Sequence, residues 1–120
     1  MKTINLPIKQ PKLWILDVDG MIFIHNSYLN GGDKLVSGFM DFYNQIKSED
    51  FIVIITAREK KYEKTTKTSL KLNHIRFNKI IFGASKGERV CINDKKPDGT
   101  KTSFALNTDR DNFPKMKINI

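Results

Sequence analysis

Leu13-Trp14-Ile15-Leu16-Asp17-Val18-Asp19-Gly20 runs four apolar residues into two carboxylates spaced i, i+2 and then a glycine. An apolar run without polar alternation suits a strand buried on both faces, as in a parallel sheet covered by helices. Acids at the end of such a strand stand at the carboxyl edge of the sheet, where open α/β folds place their ligands. Two carboxylates this close repel unless a cation or a shared proton separates them. A hard divalent ion with oxygen ligands, magnesium above all, answers that need. Asp-Gly is also a common turn pair, so these eight residues alone admit a plain turn equally well.

The rest of the chain supplies the context. Residues 1–12 read as an extended lead-in with two prolines. Met21 to Gly32 has apolar ends around a polar His25-Asn26-Ser27 centre, the pattern of a short hairpin or flap beside the carboxylates. Asp33 is a fair N-cap for a helix reaching about Ser48, with Leu35, Val36, Phe39, Met40, Tyr43 and Ile46 on its inner stripe. Phe51-Ile52-Val53-Ile54-Ile55 reads as a second buried strand, ending at Thr56-Ala57-Arg58. A polar helix follows from Glu59 to about Leu72, turning Tyr62, Thr66 and Leu70 to one side. Lys79–Phe82 and Val90–Asn93 give two further strands, Pro97-Asp98-Gly99 a turn, and Ser103–Asn107 a last strand. Strand and helix alternate, which predicts an α/β domain with a mostly parallel sheet between helices.

Length and composition set the bounds. The 120 residues suffice for one domain, 1–120, with a single core. No apolar run approaches membrane-spanning length, and the first residues lack a continuous secretory segment. The one cysteine, Cys91, has no internal partner and sits in an apolar run, which predicts a buried thiol and a reducing, cytoplasmic setting. Net charge is +8, from 21 basic and 13 acidic residues. The lysines are scattered and form no tract with interleaved aromatics, which argues against nucleic acid and for a solvated surface attractive to small phosphorylated molecules.

Four pieces of this sequence, in order, resemble the haloacid dehalogenase (HAD) superfamily, mostly phosphatases on a Rossmann-like sheet. Asp17-Val18-Asp19-Gly20 is similar to its first motif, and Ile54-Ile55-Thr56-Ala57-Arg58 to its second. Lys86 looks like the third, with Lys95 and Lys96 competing for the role. Ile92-Asn93-Asp94, with Asp98 four residues on, looks like the fourth. The resemblance spans about residues 13–110. Met21 departs from it, standing where the family usually has threonine or valine.

The resemblance implies a magnesium-dependent phosphomonoester hydrolase working through an aspartyl phosphate. Asp17 would be the nucleophile, and Asp19 the acid and then the base. Thr56 and Lys86 would complete the catalytic set, offsetting charge on the transferring group. Gly20, Thr56, Ala57, Arg58 and Lys86 would hold phosphate, while Asp17, Asp19 and Asp94 would bind Mg2+. His25 could touch a substrate hydroxyl; His74, near a helix end, reads as structural.

Spacing leaves no room for a cap domain. Asp19 and Thr56 are separated by 36 residues, and Arg58 and Lys86 by 27, against the roughly 50 that even a small domain needs. An HAD-like core with a short flap and no cap implies a large substrate or closure by another subunit, hence a homo-oligomer, dimer or tetramer. The segment Ile92–Thr102 is also similar to small capless phosphatases of polysaccharide and sugar-phosphate biosynthesis, which narrows the expected substrate to a phosphorylated sugar. Two alternatives stand beside this: a catalytically weak binding or regulatory module, and a polynucleotide end phosphatase.

Overall fold

A computed structural model describes all 120 residues. It is an α/β domain with two parallel sheets. Strands β1 (Lys2–Asn5), β2 (Leu13–Leu16), β3 (Phe51–Ile55), β4 (Lys79–Ile81) and β5 (Met116–Asn119) accompany two α-helices, α1 (Phe39–Tyr43) and α2 (Glu63–Leu72). The larger sheet has the order β2-β3-β4, all parallel. Leu13 pairs with Phe51 and Leu16 with Ile54, so β2 and β3 end side by side. Parallel neighbours need crossovers, and the segments holding α1 and α2 supply them.

The core is one cluster of fourteen buried residues, among them Val18, Ile22, Phe23, Phe39, Ile52, Ile54, Leu70 and Phe113. Trp14, Leu16, Ile52, Ile54 and Ile80 share one face of the sheet by strand alternation and belong to or pack on this cluster. The opposite face is open. Leu13 is 61% exposed, Ile15 52% and Phe51 46%. The expectation of strands buried on both faces is therefore corrected: helices and loops cover one side, and Leu13, Ile15 and Phe51 stay exposed on the other.

Segment 83–108 forms no helix or strand. The strands expected at Val90–Asn93 and Ser103–Asn107 do not form, and Ile92 is 92% exposed. Neither outer edge of the β2-β3-β4 sheet takes up these residues, although their composition suits a strand. Cys91, expected in the interior, is consequently exposed. The turn at Pro97-Asp98-Gly99 does form: Asp98 accepts the Thr100 amide, Gly99 takes φ +90°, and the Thr100 contact holds the Asp98 carboxyl below its usual range.

Two further differences position the site. The helix expected from Asp33 to Ser48 is only five residues long, because Gly38 adopts a left-handed φ of +91° just before Phe39. A side chain there would meet the Phe113 carbonyl oxygen at 2.7 Å, so glycine is required. Ahead of that break, the expected flap is present as a pinned loop. Phe23 bridges Leu35 in antiparallel fashion, and amides of Ile24 and Val36 donate to carbonyls of Lys34 and Ile22. The lead-in, finally, is structured: β1 pairs in parallel with β5, burying Ile4 and Met116.

Candidate functional site

The carboxyl ends of β2 and β3 meet at Asp17, Asp19, Thr56 and Arg58. Val18 between the acids is fully buried, so its neighbours lie at the surface while the chain stays anchored. Asp17 is half-exposed. Burial pushes its carboxyl above the ordinary range and Asp19 adds to that, while the Val18 amide and Arg89 pull the other way. Arg89 stands 3.7 Å from Asp17 Oδ1. It is the cation beside this acid, whereas Lys86, Lys95 and Lys96 are exposed and make no ion pair.

Asp19 points elsewhere. Its Oδ2 accepts Arg58 Nε–H at 3.0 Å and its Oδ1 accepts Arg58 Nη2–H at 2.9 Å. Asp33 takes the far end of the same guanidinium, Nη2 at 2.7 Å and Nη1 at 3.2 Å. Thr66 Oγ1 accepts the remaining Nη1–H at 3.0 Å. All five N–H donors of Arg58 are thereby used. The Arg58 side chain is only 1% exposed, and its carbon Cζ lies 4.0 Å from the Tyr28 ring centroid. Burial alone would lower the guanidinium pKa, but hydrogen bonds and charge from Asp19 and Asp33 outweigh it and drive the value up. Arg58 stays charged.

This arrangement changes the reading of several residues. Arg58, expected at the phosphate, is turned inward and neutralised by two carboxylates. Asp33, expected to cap a helix, is an arginine partner; the only sequence signal for it is the pair Gly31-Gly32 just before it, both at positive φ, which turns the chain back. Tyr28 and Arg89 had no distinct signal.

Backbone donors behave similarly. Gly20 N–H donates to the Phe23 carbonyl at 2.7 Å, and amides of Met21, Ile22 and Phe23 return to the Val18 carbonyl. The phosphate-binding amide expected at Gly20 is thus committed within its own loop. Gly20 has φ +83°, and a Cβ there would come within 3.2 Å of Arg110 Cγ. Thr56 is buried, its Oγ1 accepting the Arg58 amide at 3.1 Å, which leaves its hydroxyl proton free to donate. Ala57 is half-buried between them. His25 is held through its own amide to Asp111 Oδ1, at 2.7 Å. His74 sits at φ +58° just past α2, as a helix-ending residue.

The three expected metal ligands do not gather into one cluster. Asp94 lies in the exposed segment, and Asp19 gives both oxygens to Arg58. Magnesium commonly takes one or two carboxylates plus waters and substrate phosphate, a demand the accessible Asp17 carboxylate fits alone.

The chain matches no family model, no curated protein and no solved structure.

Proposed function

We propose that this chain is a capless member of the HAD superfamily and hydrolyses a phosphomonoester of a sugar through Asp17. The observation that carries the reading is the adjacency of two parallel strand ends, one bearing a half-exposed carboxylate and a second acid, the other a buried threonine hydroxyl. In this reading the three serve as nucleophile, proton carrier and phosphate hydrogen-bond donor.

In this reading an Asp17 oxygen attacks phosphorus, and the bond from phosphorus to the ester oxygen breaks. The departing alkoxide takes a proton from Asp19, which must carry one before the reaction, taken up from solvent on an oxygen lone pair that Arg58 does not use. Asp19 then takes a proton from water as the water oxygen attacks phosphorus, the Asp17–phosphorus link breaks, and inorganic phosphate leaves. Each Asp19 oxygen holds one Arg58 N–H and retains a second lone pair for this traffic. Thr56 donates its hydroxyl proton to a phosphate oxygen. Arg89 takes the charge-offsetting role read for Lys86, because it is the cation beside Asp17. Mg2+ on Asp17 would add Lewis-acid stabilisation of the phosphoryl oxygens. With Asp17 half-exposed, the site is suited to closure by a second subunit.

A second reading has one observation in its favour. The amides after Asp19 are satisfied within their own loop, as in a binding module with weak catalysis. Hydrolysis of p-nitrophenyl phosphate with magnesium, compared with Asp17→Asn, separates the two. Activity lost in the variant supports the enzyme; none in either supports the module. A screen of phosphorylated sugars and of 3′- and 5′-phosphorylated oligonucleotides then identifies the substrate class.

A further inference from the structure

We infer that Asp33 is a positioning residue for Asp19, acting through Arg58; the inference rests on the phosphatase reading given above. A guanidinium offers carboxylates two bidentate edges, a side edge of Nε with Nη2 and an end edge of Nη1 with Nη2. Asp19 holds the side edge and Asp33 the end edge, sharing Nη2 between them. The two acids reach Arg58 from different parts of the chain: Asp19 follows β2, and Asp33 follows the pinned loop 21–32.

Asp33 selects between the two edges. With the end edge empty, two charged N–H donors of a side chain that is only 1% exposed would lack acceptors. Arg58 would then turn its end edge toward Asp19, the remaining carboxylate, and Asp19 would move with it. Asp33 occupies that edge from a side chain that is itself 4% exposed, out of reach of any substrate. Its own placement is firm, since the neighbouring Lys34 amide donates to Ser27 Oγ at 3.2 Å and its carbonyl accepts the Ile24 amide at 2.8 Å. The ring of Tyr28 lies over the guanidinium plane and leaves rotation within that plane as the motion Asp33 must block.

The test compares wild type with Asp33→Asn and Asp33→Glu, each assayed where it is fully folded, and follows the Arg58 Nε–H resonance by NMR. That N–H donates to Asp19 and makes no hydrogen bond to Asp33, so its protection from exchange with water reports whether the side edge still faces Asp19. The expected result is a shifted and less protected Nε–H signal in Asp33→Asn, a fall in kcat of about tenfold or more with KM within about threefold, and partial recovery of both in Asp33→Glu. An unchanged Nε–H signal with wild-type kcat overturns the inference, and so does collapse of both variants, which would mark Asp33 as a fold anchor only. If the wild type itself hydrolyses no phosphate ester, the functional reading fails, and the Nε–H signal alone decides whether Asp33 sets the Arg58 edge.

Discussion

The indole N–H of Trp14 donates to Asp50 Oδ2 over 2.9 Å, tying the middle of β2 to the residue that precedes β3. Asp50 Oδ1 accepts the Lys12 amide, also at 2.9 Å, and the residue is only 3% exposed. Asp50 thereby sets the register of the two strands whose ends carry the acids. Asp50→Ala leaves both donors without their acceptor and is expected to cost about 2–3 kcal/mol. Urea unfolding followed by fluorescence of Trp14, the one tryptophan, measures it directly.

Gly38→Ala is expected to destabilise by more than about 2 kcal/mol, since it adds a backbone clash at the Phe113 carbonyl to the cost of a left-handed alanine. Gly31→Ala, where nothing lies within 4 Å, isolates the conformational part alone. Thermal unfolding of the pair should rank Gly38→Ala well below Gly31→Ala.

Asp17→Asn should lower phosphatase activity by about a thousandfold or more while making the protein more stable at neutral pH. The sign follows from burial, which raises the Asp17 carboxyl in the folded state. A raised carboxyl contributes stability below its unfolded pKa and loses it as pH rises through the folded value. The asparagine has no such loss, so its advantage appears at pH 7 and fades in acid. Because Asp17 is half-exposed the gain is small, about 1–2 °C in Tm, read by calorimetry at the two pH values.

Chelation separates catalysis from folding. No element of the fold is held by a cluster of metal-binding side chains. EDTA is therefore expected to abolish phosphate release while leaving Tm within about 1 °C of its starting value. A fall in Tm of several degrees would show a structural ion instead.

Cys91 should react with a thiol reagent in the folded protein at the rate of a free thiol, because it is exposed within the unpaired segment. Trypsin should likewise cut first among Lys86, Arg89, Lys95 and Lys101, all of them exposed. Slow thiol modification together with resistance to trypsin would mean that 83–108 is packed onto the open sheet face.

What the sequence made legible was the part governed by short-range pattern. The runs at Leu13–Leu16, Phe51–Ile55 and Lys79–Ile81 form strands, and Thr66 and Leu70 do face inward from α2. What escaped it depends on partners far along the chain. Val90–Asn93 has strand composition yet pairs with neither free edge of the larger sheet, whereas β1 has one inward residue, Ile4, and a partner more than a hundred residues away. Arg58 was legible as a functional type at the right strand end. Its direction was not, since only the folded loop brings Asp33 to its far side.

Lys2–Asn5 and Met116–Asn119 pair from opposite ends of the chain, and Gln45 holds β5 by donating to the Met116 carbonyl and accepting the Ile118 amide. During synthesis, the first of these strands leaves the ribosome with nothing to pair against until the second has also emerged. The smaller sheet therefore cannot close before residues 116–119 have emerged, and a ribosome stalled after Asn112 would carry a nascent chain whose site strands can assemble while Lys2–Asn5 stays unpaired.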